Sequence, residues 1–303
     1  MKCAPTKEWD IKAPWGKLRL TSWGNPKAPP VFLCHGRQDT AATFQPLLEL
    51  MDMGKHNFVA MDMPGSSFSD PFPPGIKLQR FHYLGAMEVA IEQLGWDKFI
   101  FIGHSMGCEL ALFFNALYPN RITKMILFDG EFALRRLQIH DLAEYQKMFY
   151  DDYYNDYEKE NFYHKTYTIE QATQTLMKNR KLTKEKAALI LKNNLIHVSG
   201  DQYRLTWNRR TKLLAAQNYP NSYYFALFNK IPPTLLISAS ESLNMESKYK
   251  TGSFELLNML STLKQFNHVV VEGNHDVHLS HPERLAPYVN EFLNNNVVLK
   301  SKL

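Results

Sequence analysis

The sequence predicts an α/β fold in which a mostly parallel, doubly wound sheet carries an inserted helical cap. Short apolar runs of strand length alternate with helix-like stretches up to residue 130, and the alternation resumes at residue 232. Such alternation is typical of parallel strands joined by helical crossovers. Between these parts the alternation stops for about a hundred residues, which is too long for a loop in a compact domain. We therefore expect a core of residues 1–130 and 228–303, and a helical cap at 131–227.

Each expected element follows from a local run of apolar residues bounded by turn formers. Two strands open the chain around Pro14-Trp15-Gly16, and Gly95 ends the longest expected helix of the first half. The expected strands are at residues 9–13, 17–23, 31–34, 57–62, 98–102, 124–128, 232–238 and 268–272. The expected helices are at residues 43–53, 80–94, 108–118, 252–263 and 283–293.

Composition narrows the classes of function. The chain has 303 residues, 45% of them hydrophobic, and a formal net charge of +5. The positive excess lies in residues 131–230, but no compact basic run is interleaved with aromatic residues, so no nucleic-acid partner is expected. No apolar run reaches the length of a membrane span, and no signal peptide is visible. Three widely spaced cysteines form neither a metal-ligand pattern nor a disulfide framework, which favours a reducing compartment.

A glycine-flanked serine follows the expected strand at 98–102. The segment Gly103-His104-Ser105-Met106-Gly107 lies between that strand and a helix-like stretch. This is the strand–turn–helix context of the G-x-S-x-G nucleophile elbow. The turn exposes a serine hydroxyl at the N-terminal end of a helix, where the next N–H stabilises a developing oxyanion. We therefore predict Ser105 as a nucleophile and the Met106 N–H as one oxyanion-hole donor.

A second oxyanion donor is predicted at the end of the strand at 31–34. That strand ends at His35-Gly36-Arg37, and the loop after this strand supplies the second N–H in folds that carry a nucleophile elbow. Arg37 is therefore the second candidate. The loop Asp62-Met63-Pro64-Gly65 is expected to pack beneath the site without taking part in chemistry.

Four segments together carry a resemblance to a known family. They are His35-Gly36, Asp62-Met63-Pro64-Gly65, the motif around Ser105, and Gly273-Asn274-His275 with the following His278-Leu279 and Pro282-Glu283. In this order they resemble the α/β-hydrolases, most closely the animal serine hydrolase-like (kraken-type) proteins. The resemblance implies the α/β-hydrolase fold, Ser105 as nucleophile, His275 as base, and no metal or organic cofactor. His268, His278 and His281 are alternatives nearby, but the glycine turn after the last strand favours His275.

The third member of the predicted triad has two candidates. A serine hydroxyl is too weak an acid to ionise alone, so the histidine needs a carboxylate that fixes its tautomer and stabilises its cation. The resemblance implies an acid at a fixed interval after the strand at 232–238, but that position holds Ser242, with Glu241 one residue earlier. Relatives that use the strand after the elbow helix imply Asp129 instead. We favour Asp129 narrowly over Glu241.

The last three residues are Ser301-Lys302-Leu303. This tripeptide is a peroxisomal targeting signal, which an import receptor recognises. The sequence therefore predicts import into peroxisomes after cytosolic synthesis, with the receptor as a partner; the alternative is a cytoplasmic protein.

These observations predict a serine hydrolase that cleaves carboxylic esters or thioesters of a small-molecule acyl substrate. The alternative is a catalytically silent protein of the same fold that binds a small molecule or a protein partner. Labelling of Ser105 by a fluorophosphonate distinguishes the two.

Overall fold

The computed structural model describes residues 4–75, 77–130, 142–151, 165–208, 210–211, 214, 219–249 and 253–295. Within these residues, two sheets are present, one of eight strands and one of three. The strands are β1 Lys7–Ala13, β2 Gly16–Gly24, β3 Pro30–Cys34, β4 Asn57–Met61, β5 Phe99–His104, β6 Ile122–Phe128, β7 Thr166–Tyr167, β8 Leu195–Ser199, β9 Gln202–Leu205, β10 Thr234–Ala239 and β11 Phe266–Val271.

Helices flank the larger sheet and form part of the inserted segment. The α-helices are α1 Gln45–Leu48, α2 Arg80–Leu94, α3 Met106–Leu117, α4 Leu142–Gln146, α5 Ile169–Arg180, α6 Lys184–Leu191, α7 Asn221–Phe228, α8 Ser240–Tyr249, α9 Ser253–Ser261, α10 Val277–Ser280 and α11 Ala286–Asn294. Short 3₁₀ turns lie at Ala41–Phe44 and Pro282–Arg284, and a π turn lies at Lys147–Asp151. None of the described helices is both long and apolar enough to cross a membrane.

The larger sheet is mostly parallel, which confirms the expected fold class. Its strand order is β1-β2-β4-β3-β5-β6-β10-β11, and only the β1–β2 and β2–β4 pairings are antiparallel. The six strands from β4 to β11 run in one direction, so their carboxyl ends lie along one edge. Ligands bind at that edge in open α/β sheets. Ser105, Asp129 and the His275 loop follow three of these strands directly.

Both faces of the sheet are buried against helices. All six residues of β5 are buried, as expected of a central parallel strand. Phe101 packs in a cluster with residues of α2 and α3, whereas Ile102, its neighbour, packs in a cluster with residues of α1 and α11. The alternation of side chains along the strand therefore divides the core into two layers.

The described part of the inserted segment contains three short strands in addition to the expected helices. Helices α5 and α6 pack beside a small antiparallel sheet in the order β7-β9-β8. Strands β8 and β9 are joined through Gly200, which has φ +54°. A tight turn at a glycine between two runs with β-branched and aromatic residues is a hairpin signal. Helical periodicity on either side masked this signal in the sequence.

Several expected boundaries differ from the structure. The helix expected at 43–53 is shorter, because Leu50 and Met51 donate to carbonyls three residues earlier and the chain then turns at Gly54. Helix α8 was not expected at all. The last helix begins at Ala286 rather than at residue 283, because a 3₁₀ turn precedes it. The tripeptide Ser301-Lys302-Leu303 lies outside the described residues.

Candidate active site

Ser105 occupies a sharp turn between β5 and α3. Its backbone has φ 51° and ψ −117°, a conformation that non-glycine residues rarely adopt. The turn requires small neighbours: a Cβ on Gly107 would lie 2.1 Å from the Cys34 carbonyl oxygen, and one on Gly103 would lie 2.8 Å from the Gly107 backbone. The glycines of the motif therefore let the elbow sit against β3, with Ser105 half-buried at the sheet edge.

The structure brings His275 and Asp129 together. Asp129 follows β6 with φ 50° and is fully buried, and its Oδ2 accepts a hydrogen bond of 2.5 Å from His275 Nδ1. The other oxygen, Oδ1, accepts from the Ala239 N–H at 2.7 Å. A neutral imidazole that donates from Nδ1 carries its lone pair on Nε2. This is the tautomer in which a histidine accepts a proton from a serine hydroxyl.

Glu241, the competing acid, lies elsewhere. Its carboxylate pairs with Lys181 Nζ at 2.7 Å, and both side chains are about half exposed or more. The neighbouring Ser242, at the position where the resemblance implied an acid, is buried and donates through Oγ to Asp129 Oδ2 at 2.5 Å. Asp129 thus accepts hydrogen bonds from a serine, a histidine and a backbone N–H.

One predicted oxyanion donor begins helix α3, and the other lies on a loop that packs against Ser105. Met106 is the first residue of α3, and the first N–H groups of a helix have no acceptor within the helix. Arg37 follows Gly36, where an added Cβ would lie 2.9 Å from the Ser105 Cβ. His35 orders this loop, because its Nε2 accepts the Met63 N–H at 2.9 Å and its Nδ1 is 2.7 Å from the Gly36 carbonyl oxygen.

A buried ionic group that is not apparent from the sequence lies beside His275. Arg180, the last residue of α5, contacts Asp39 through Nη1 at 3.0 Å and Asp276 through Nε at 2.9 Å. Burial alone would raise the pKa of Asp39, but the charge of Arg180 and hydrogen bonds hold that pKa far below its usual range. Two carboxylates in the sequence could have indicated this ionic group: Asp39, three residues after Gly36, and Asp276, directly after His275.

Two further histidines pack against this ionic group. His104 and His278 have ring centroids 4.0 Å apart, and both side chains are buried. Burial lowers the pKa of His278 well below its usual value, and His104 lowers it further. With Asp39, these residues are the described side chains whose types and proximity suit a metal ion. The two rings pack against each other with their planes at 36°, however, and both Asp39 oxygens already accept from Arg180, so the geometry favours a buried ion-pair network.

Known proteins share the sequence family and the fold of this chain. The model of the α/β hydrolase fold family matches residues 29–282. The chain belongs to the α/β hydrolase fold family. Serine hydrolase-like protein 2 of Homo sapiens is 29% identical over 308 residues, which span 98% of this chain and 96% of the human protein. The resemblance to animal serine hydrolase-like proteins is therefore confirmed, and these relatives support a hydrolase.

Solved structures share the fold over almost the whole chain. A hypothetical protein from Pseudomonas aeruginosa PAO1 has a TM-score of 0.79 at 23% identity, covering 95% of this chain and 98% of the bacterial one. A thioesterase domain from the curacin biosynthetic pathway has a TM-score of 0.76 at 19% identity, covering 94% and 99%. At these identities the likeness establishes the fold.

Proposed function

We propose that this protein is a serine hydrolase that cleaves carboxylic esters or thioesters through an acyl-enzyme. The observation that carries the proposal is the presence, at one edge of the sheet, of a serine in the elbow conformation and a histidine held by a buried carboxylate. Names of relatives agree with it: one is called serine hydrolase-like, and a structural neighbour is a thioesterase domain. We assign Ser105 as the nucleophile, His275 as the general base and Asp129 as the acid of the triad.

In the first half of the reaction, Ser105 Oγ attacks the carbonyl carbon of the substrate while His275 Nε2 takes the hydroxyl proton. The Arg37 and Met106 N–H groups donate to the oxyanion that develops on the carbonyl oxygen. One such donor contributes about 3–4 kcal/mol to the stability of the transition state. Collapse of the tetrahedral intermediate expels the alcohol or thiol, which receives the proton from His275, and leaves Ser105 acylated.

In the second half, water replaces the alcohol or thiol. His275 accepts a proton from the water as its oxygen attacks the acyl carbon, and the same two N–H groups stabilise the second oxyanion. The acid is released as Ser105 recovers its proton. Asp129 keeps its charge throughout and stabilises the imidazolium that forms twice in each cycle.

Hydrolysis by a Ser105→Ala variant tests the nucleophile. Alanine fits the elbow, so we expect a folded protein whose hydrolysis of p-nitrophenyl esters and of acyl thioesters falls to background. Ser222→Ala, at an exposed position of α7, is the matched control and should keep full activity. Ester hydrolysis above background by the folded Ser105→Ala variant would contradict the assignment.

A further inference from the structure

One arginine connects the inserted segment to the loop that carries His275. Arg180 is largely buried, with 16% of its side chain exposed. Its guanidinium donates to both oxygens of Asp39, at 3.0 and 3.3 Å, and to both oxygens of Asp276, from Nε at 2.9 Å and from Nη2. Asp39 lies in the loop after β3, so three separate parts of the chain meet at this side chain.

Both neighbours of His275 in the sequence are held by Arg180. Asp276 binds its guanidinium, and Asn274 donates through Nδ2 to its carbonyl oxygen at 3.2 Å. The Asn274 side chain also accepts from the Asp276 N–H at 2.9 Å. The backbone of His275 is held by a further contact, because its carbonyl oxygen lies 2.9 Å from His104 Nε2. The backbone on each side of the imidazole therefore depends on contacts with one residue of α5.

From these contacts we propose that Arg180 is a positioning residue for His275, fixing its loop so that Nε2 faces Ser105. The inference rests on the proposed serine hydrolase function. A shift of about 1 Å in a catalytic group costs about 100-fold in rate. Loss of the bidentate contact between Arg180 and Asp276 is therefore expected to slow the reaction at the adjacent His275. Activity then depends on docking of α5, which makes the inserted segment part of the catalytic machinery.

Asp276 offers a second way to weaken the same contact. Replacing Asp276 with Asn removes the negative charge that binds the Arg180 guanidinium and leaves the Arg180–Asp39 pair in place. Hydrogen bonds between two charged groups are stronger than those to a neutral group. The substitution therefore weakens the anchor next to His275 while α5 stays attached to the loop of Asp39.

The test compares three variants with the unchanged protein. For Arg180→Met we expect kcat, per site titrated with a fluorophosphonate, to fall about 100-fold with little change in KM. Arg180→Lys, which keeps the charge but not the forked geometry, should recover part of that loss. Lys181→Met is the control: Lys181 also joins α5 to the core, but through the exposed Glu241, and the variant should behave like the unchanged protein.

Asp276→Asn provides the second measurement, which is decisive if Arg180→Met does not fold. We expect its kcat per titrated site to fall, by less than in Arg180→Met, with little change in KM. An unchanged kcat per titrated site in a folded Arg180→Met or Asp276→Asn variant would overturn the inference while leaving the serine hydrolase intact. If the unchanged protein does not react with the fluorophosphonate, the proposed function fails, and this inference fails with it.

Discussion

At the scale of single residues, Asp129 is distinguished by its burial and its partners. It is fully buried, and its oxygens accept from His275, Ser242 and the Ala239 N–H. Asparagine at this position would replace one carboxylate oxygen with an NH2 group, which donates, where the site needs only acceptors. The geometry therefore favours Asp129 over Glu241 as the residue that orients the imidazole.

Substitution of these two acids should have very different effects. Asp129→Asn should leave Ser105 in place but favour the wrong tautomer of His275, lowering kcat by up to about 10⁴-fold. Glu241→Gln removes only an exposed ion pair with Lys181, for which we expect less than a twofold change. Steady-state ester hydrolysis at pH 7.5 measures both effects. A larger loss of kcat in Glu241→Gln than in Asp129→Asn would indicate that Glu241 is the acid of the triad.

The residues of the site differ in how far the sequence could predict them. Ser105 and His275 stand in motifs whose local spacing is informative. Asp129 could be named only as one of two candidates, because its distance from His275 depends on the register of β6 and β10. Arg180 could not be predicted, since its partners are 141 and 96 positions away in the chain and nothing near it marks a site.

At the scale of elements, the elbow between β5 and α3 depends on close approach to β3. For Gly107→Ala, the new Cβ would overlap the Cys34 carbonyl, so β3 and α3 must separate. We expect a loss of about 1–3 kcal/mol in the free energy of unfolding, as for overpacked cores, together with a loss of ester hydrolysis.

Gly85 in α2 is the matched control for that substitution. An added Cβ there meets nothing within 4 Å, and alanine is favoured over glycine in a helix by about 0.5–1 kcal/mol. Gly85→Ala should therefore raise the free energy of unfolding by that amount and keep activity. Urea denaturation of both variants tests the pair, and equal stabilities would contradict this account of the elbow.

The elements that the sequence predicted correctly are those with a buried apolar run or a clear stop signal. Helix α2 ends where expected, because Gly95 takes a left-handed conformation after it. The β8–β9 hairpin was missed because its strands are partly exposed and carry no apolar run of strand length, whereas the equally short β3 and β4 are almost entirely buried. Such short strands exist because they pair with each other and pack on α5 and α6, which local patterns do not encode.

At the scale of the whole molecule, buried neutral histidines make stability depend on pH. Burial lowers the pKa of His278, and also those of His56, His82 and His268. Below about pH 6.5 the unfolded chain binds protons at these positions that the folded chain does not bind. Stability is therefore complete above that pH and decreases as the pH falls, by up to about 1.4 kcal/mol per pH unit for the fully buried His278.

His278→Phe tests this dependence. Neither ring nitrogen of His278 has a hydrogen-bond partner among the described residues, and its ring packs near Phe44 and Phe128. Urea denaturation between pH 7.5 and 5.5 should show a shallower loss of stability in the variant than in the unchanged protein. Parallel pH profiles for the two proteins would show that His278 does not contribute.

The prediction that Ser301-Lys302-Leu303 addresses the chain to peroxisomes stays a prediction. Fluorescence imaging of the chain with a tag on its N-terminus, with and without these residues, tests it. We expect punctate signal that coincides with a peroxisomal marker and becomes diffuse after the deletion. Diffuse signal in both cases would contradict the prediction and favour a cytoplasmic protein.

The proposed function depends on acylation of Ser105 with the help of the His275–Asp129 pair. The most direct measurement is peptide mass spectrometry after a brief reaction with a fluorophosphonate, on the unchanged protein and on Asp129→Asn. We predict that the adduct lies on Ser105 and that it forms at least about 100-fold more slowly in the variant. An adduct on another residue, or no adduct on the folded unchanged protein, would contradict the account.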